Sequence, residues 1–79
     1  MFTVYVLKDK DGKFYKGYTG NLQRRLNEHR SGHTISTRKM KELSVVYKEE
    51  YATFEEARAR EVYFKSAAGR RLLKKKLGP

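Results

Sequence analysis

Glu61 follows Phe54 and Ala57 and precedes Phe64 at spacings of three, four and three, so on a helix its carboxylate interrupts the face that should be buried. A carboxylate in an apolar face is costly unless it is paired or binds a metal. Two partners satisfy it: one of the many Lys and Arg side chains, in an internal salt bridge, or a hard cation such as Mg²⁺ or Mn²⁺. Mg²⁺ tolerates a single protein carboxylate because it keeps several waters and takes phosphate oxygens as further ligands. Arg25 and His29 form a second candidate group. Four residues apart on a helix, they flank the side that carries Leu22 and Leu26 and project near the edge of a core. A guanidinium there is either a solvated charge beside an apolar stripe or a bidentate ligand for phosphate oxygens. An imidazole there either meets the carbonyls and dipole at the helix end or carries protons near neutral pH. Tyr5 and Tyr15, like Tyr18 and Tyr47, read by themselves as ordinary cross-strand aromatics.

The elements that must position these side chains are legible in the pattern. Residues 2–7 are β-formers on both faces and run into Asp9-Lys10-Asp11-Gly12, whose Asp-Gly step signals a hairpin. Residues 13–19 resume a period-two pattern through Phe14, Tyr15 and Tyr18, so the first two strands should pair antiparallel. Asn21 is a suitable N-cap, Leu22 and Leu26 repeat at four residues, and Gly32 sits where a left-handed C-terminal residue belongs, predicting a helix over 22–31. Residues 32–42 are polar, basic and aperiodic, a long loop for so short a chain and of a kind that often carries function. Residues 43–51, with Val45, Val46 and Tyr47, read as a third strand. Thr53 and Glu56 make a capping box that opens a second helix running to about residue 65. After Ser66-Ala67-Ala68-Gly69, Leu72, Leu73 and Leu77 supply an apolar stripe among basic residues, predicting a docked terminal helix. The expected fold is α+β, a three-stranded antiparallel sheet flanked by helices in the order β-β-α-β-α-α, as one domain over residues 1–79.

Composition sets the partners. Nineteen Lys and Arg against nine Asp and Glu give a formal net charge of +10, which favours a polyanion such as nucleic acid. The absence of cysteine excludes disulfides, and no paired ligand motif announces a structural zinc. No apolar run approaches the roughly 18 to 20 residues of a membrane span, and the N-terminus lacks a basic segment followed by a hydrophobic stretch, so a cytoplasmic protein without membrane contact is expected.

The run Tyr15-Lys16-Gly17 through Arg25 to His29, preceded by Thr3-Val4-Tyr5, resembles the signature of the GIY-YIG nucleases. In that family a Tyr ends the first short motif, a second Tyr opens YIG about ten residues on, an Arg follows by ten more and a His often by a further four. Tyr5, Tyr15, Arg25 and His29 occupy those places, and Glu61 that of the family's metal-binding Glu on a later helix. Thr3-Val4-Tyr5 replaces Gly-Ile-Tyr, and Lys16 replaces the usual Ile or Val, putting a cation between Phe14 and Tyr18 on one strand face; that face is then partly exposed or Lys16 snorkels to water.

The resemblance implies a stand-alone, metal-dependent endonuclease that hydrolyses phosphodiester bonds, DNA before RNA, with Mg²⁺ or Mn²⁺ shared between Glu61 and the scissile phosphate. It implies Arg25 as stabiliser of transition-state charge, Tyr5 as base for the attacking water, Tyr15 as a positioning group and His29 as acceptor of the phenol's proton. Lys16, Arg24, Arg38, Lys39, Arg70 and Arg71 are the expected contacts to the nucleic acid backbone. With so short a chain, targeting is expected from substrate shape, the 32–42 loop or a protein partner. The rival expectation is a basic nucleic-acid-binding module that keeps the fold without cleavage; a structural protein on ribosomal RNA would leave the placement of Glu61 unexplained.

Overall fold

A computed structural model describes residues 1–34 and 37–78 of the chain; residues 35 and 36 of the expected 32–42 loop, and residue 79, lie outside the described residues. The elements run β1 (Phe2–Lys8), β2 (Phe14–Thr19), α1 (Leu22–Arg30), β3 (Ser44–Tyr51), α2 (Phe54–Lys65) and α3 (Ala67–Leu77), the expected order and class. β1 lies at the centre of an antiparallel sheet of order β2-β1-β3. This central position explains the β-formers at successive positions of β1: Val4, Tyr5, Val6 and Leu7 are all buried because both faces of the sheet are covered.

Alternation along the strands divides the core in two. Val4 and Val6 pack with Ala57 and Phe64 of α2 and Leu73 of α3, joined by Phe14, Tyr18, Val46 and Tyr47. On the opposite face Tyr5, Leu7 and Leu26 of α1 pack together, joined by Tyr15, Leu22 and Val45. Tyr5 pairs with Gly17 and Leu7 with Tyr15 across β1 and β2. A register shift between Val6 and Leu7, opposite Tyr47 and Val45, leaves Val46 as an extra residue in β3.

The turns and caps follow the residue chemistry. Asp9 is buried, and its Oδ1 accepts from the backbone N–H groups of Asp11 (3.0 Å) and Lys13 (2.8 Å), closing the hairpin with Gly12 at φ 84°. Asn21 caps α1 by accepting from the Arg24 N–H, and Gly32 takes a φ of 76° beyond its end. Thr53 caps α2 by accepting from the Glu56 N–H, and donates its hydroxyl to the Glu56 carboxylate at 2.9 Å.

Two expectations change. α3 starts at Ala67, ahead of Gly69, with Ser66 as its cap. Gly69 is there for proximity and not to break the helix: a Cβ on it would stand 1.9 Å from the Tyr63 carbonyl oxygen and 2.6 Å from the Phe64 Cα. Phe54, expected on the buried face of α2, is 44% exposed; it lies in the first turn, edge-on to Phe2 and Tyr18. β3 is tied to α2 by a polar knot. Both Glu49 carboxylate oxygens accept from Arg60 (2.8 and 3.2 Å), while Tyr47 and Tyr51 donate their hydroxyls to the same carboxylate at 2.5 and 2.6 Å. The Arg60 guanidinium in turn lies over the rings of Tyr63 and Phe64.

Candidate active site

The α1 face of the sheet brings the sequence candidates together. Tyr5 extends from β1 across neighbouring β2, and Gly17 is what lets it pass: a Cβ there would meet the Tyr5 Oη at 2.6 Å and Cζ at 2.7 Å. The phenol ends 2.8 Å from Nε2 of His29, which α1 presents from its last turn, one turn beyond Arg25. Tyr15 completes an aromatic triangle, its ring 5.0 Å from that of His29 and 6.3 Å from that of Tyr5. Tyr5 and His29 are 1% and 2% exposed, so their hydrogen bond is a buried one. The other imidazole nitrogen, Nδ1, lies 2.7 Å from Oγ1 of Thr37, also buried. His29 is therefore held at both ring nitrogens, which fixes the plane of its ring.

Electrostatics separates the roles of these groups. Burial pushes the Tyr5 phenol up to about 12, partly offset by the nearby Arg25 guanidinium, with the charges of Tyr15 and Glu61 also acting on it. Burial, then the Arg25 cation, lowers the His29 imidazole from its ordinary value. It is consequently neutral at pH 7, with one ring nitrogen free to accept. Arg25 pairs with Glu28 at 3.0 Å, and that bond first, then the nearby Tyr5 phenol, raises the guanidinium from its ordinary value and keeps it charged. About a third of the Arg25 side chain remains exposed, so it faces both the phenols and solvent.

Glu61 is buried as expected, its side chain 11% exposed, on α2, which packs against the Val4 and Val6 face of the sheet; its charge still acts, weakly, on the Tyr5 phenol. Its Oε2 lies 2.8 Å from Nζ of Lys65, one turn along the helix, whose own side chain is 55% exposed. This carboxylate is thus a seat for a cation. Among the described residues no three His, Cys, Asp or Glu side chains gather, leaving a single hard oxygen donor group. That set fits Mg²⁺ or Mn²⁺ and does not fit Zn²⁺, which takes three or four protein ligands.

The expected backbone contacts are more scattered. Lys16 is half-buried on the other face of β2, where it shares a pocket with Arg70. Arg38 lines a cavity of about 400 Å³ behind His29, together with Arg30 and Lys41. Arg24, Lys39 and Arg71 are exposed. Sequence reasoning passed over Thr37 and Gly17. Thr37 lies in the aperiodic loop and carries no signal of its own, whereas a glycine inside a strand does signal close approach.

Over residues 1–76 the sequence matches the GIY-YIG catalytic domain. The chain belongs to the GIY-YIG family. Among the relatives of this GIY-YIG chain, the UPF0213 protein of Bacillus pumilus is 44% identical over 63 residues, covering 78% of the chain and 64% of the relative. A UPF0213 protein of Staphylococcus saprophyticus is 32% identical over 72 residues, covering 90% and 88%. The solution NMR structure of a UPF0213 protein from Bacillus halodurans superposes with a TM-score of 0.60 at 34% identity, covering all of this chain and 89% of that one. The chain spans 64% of the length of the Bacillus pumilus and Streptococcus pneumoniae relatives. Among the described residues no helix of this GIY-YIG domain is long and apolar enough to cross a membrane.

Proposed function

We propose that this GIY-YIG domain is a metal-dependent endonuclease that hydrolyses phosphodiester bonds of nucleic acid, DNA in preference to RNA. The observation that carries the reading is the buried Tyr5–His29 hydrogen bond at 2.8 Å, flanked by Arg25 and within reach of the Glu61 charge. A phenol pushed up to about 12 supplies almost no phenolate at neutral pH, so Tyr5 works through its neighbour. As the oxygen of water bonds to phosphorus and the ester bond breaks, the water proton passes to the Tyr5 oxygen and the phenol proton to His29 Nε2. This transfer needs the tautomer with its proton on Nδ1, donated to Thr37 Oγ1; Thr37 thereby also supports the imidazolium that forms. Arg25 binds the charge that develops on the phosphoryl oxygens, and its bond to Glu28 orients it. Tyr15 positions the water or the phosphate against this pair. Glu61 would hold Mg²⁺ or Mn²⁺, which supplies neutralisation of phosphate charge when bound. The leaving oxygen takes its proton from solvent.

One observation favours the alternative of a non-catalytic nucleic-acid-binding module: Lys65 pairs with Glu61 at 2.8 Å, so the chain itself offers that carboxylate a cation. Incubating the purified chain with labelled DNA and RNA, linear and branched, in Mg²⁺, Mn²⁺ or EDTA separates the two. Cleavage that EDTA abolishes is the expected result; binding without cleavage of any substrate would install the alternative.

A further inference from the structure

On the opposite face of β2 from the phenols, Phe14 and Leu73 floor a pocket of about 310 Å³ rimmed by Lys16, Arg70 and Lys74. No carboxylate is among its lining residues, and none of the three cations has an ion-pair partner among the described residues. Burial first, then the neighbouring Arg70 and Lys65 cations, lower the Lys16 ammonium from its ordinary value, so like charges are crowded here without compensation among the described residues. A polyanion relieves that repulsion.

The pocket is connected to the candidate active site. β2 is an edge strand, and its consecutive residues Tyr15 and Lys16 point to opposite faces of the sheet. Lys65 bridges the two faces: it is paired with Glu61, it acts on Lys16, and Tyr15 and Tyr18 both contribute to its charge. The Lys65 cation therefore links the Glu61 carboxylate, its partner, with Lys16 of the pocket, on which its charge acts.

We propose that this pocket receives an unpaired nucleobase of the substrate strand, flanking the bond that is cut. The proposal rests on the nucleic acid reading above and specifies what the strand does beside the site. A phosphate backbone by itself needs exposed cations and no apolar concavity, and an uncharged apolar ligand needs no ring of cations. A nucleotide needs both: a flat apolar base against Phe14 and Leu73, with its phosphates on Lys16, Arg70 and Lys74. The volume lies at the lower end of the roughly 300–1,000 Å³ of small-ligand sites, suited to one base. Bases stacked within a duplex cannot enter, so the occupant is a single-stranded flank or an extruded base.

The test is binding of the whole chain, in EDTA to prevent cleavage, to a duplex with a short single-stranded tail containing 2-aminopurine, beside the same duplex with an abasic tail. Base–aromatic stacking predicts roughly tenfold tighter binding of the base-bearing tail, with a change in 2-aminopurine fluorescence. Phe14→Leu, which keeps apolar bulk and removes the ring, should shrink that gap between the two tails. Thermal melts confirm that this variant folds, and the comparison of the two tails decides the matter without it. Equal affinity for both tails, with a steep salt dependence retained, would overturn the base pocket and leave the nucleic acid reading standing. No binding of either duplex would overturn both.

Discussion

The hydroxyl of Tyr5 and Nε2 of His29, 24 residues apart in sequence, meet at 2.8 Å in an interior from which both are almost wholly excluded from water. β1 supplies one, the last turn of α1 the other, and Gly17 of β2 leaves the passage between them open. The pair has one consequence for acid–base behaviour. His29 has to be neutral to take the phenol's proton, and burial with the Arg25 charge lowers its imidazole from the ordinary value near 6.5. Cleavage should hold as pH falls through 6.5 and decline only below it. Single-turnover rates across pH, on a substrate that stays bound throughout, check this; an acid limb above pH 7 would contradict the neutral His29. Tyr5→Phe, which keeps the ring and deletes the hydroxyl, should slow cleavage by roughly 10²-fold or more.

Arg25 separates binding from chemistry. Arg25→Ala removes a contact strengthened in the transition state but only one of 19 basic side chains. Cleavage should drop by about 10² or more with affinity changed little. Equilibrium binding in EDTA beside single-turnover cleavage provides the two readings, and wild-type cleavage by this variant would move the role to another cation.

Most of this arrangement is legible in the sequence, because its signals are local. Alternation through Phe14, Tyr15 and Tyr18, the caps at Asn21 and Thr53, and the conflict of Glu61 with its apolar neighbours each need only nearby residues to be read. Lys65, four residues beyond Glu61, is equally readable as its partner. What escapes is contact between distant segments. Thr37 matters through a bond to His29 that no periodicity announces, and the reason for Gly69 shows only in the close approach of α3 to the Tyr63 carbonyl. Glu49 and Arg60, 11 residues apart on different elements, belong to the same class.

Glu49 sets the acid stability of the fold. Burial pushes its carboxyl up, but the hydrogen bonds of Arg60, Tyr47 and Tyr51 outweigh burial and hold it at about 2. Because the folded value lies below the unfolded one, near 4.3, its contribution is complete above the unfolded value and is lost as pH falls from there toward 2. At neutral pH the contribution is on the order of 2 to 3 kcal/mol. Denaturant melts of wild type and Glu49→Gln should differ most at pH 7 and converge toward pH 2; a constant difference would show that the carboxylate charge is not what holds β3 to α2.

Glu61 tests the central claim, metal-dependent cleavage, most directly. Its partner Lys65 is more than half exposed, so Glu61→Gln returns an ammonium to water instead of stranding it, and the metal-free protein should lose no more than about 1 kcal/mol. The decisive measurement is single-turnover cleavage of one labelled duplex by wild type and Glu61→Gln in Mg²⁺, with EDTA controls and a melt of each protein. Cleavage by wild type in Mg²⁺ alone, abolished in a folded Glu61→Gln, is the predicted result. Equal cleavage by the two proteins, or cleavage that persists in EDTA, would contradict it.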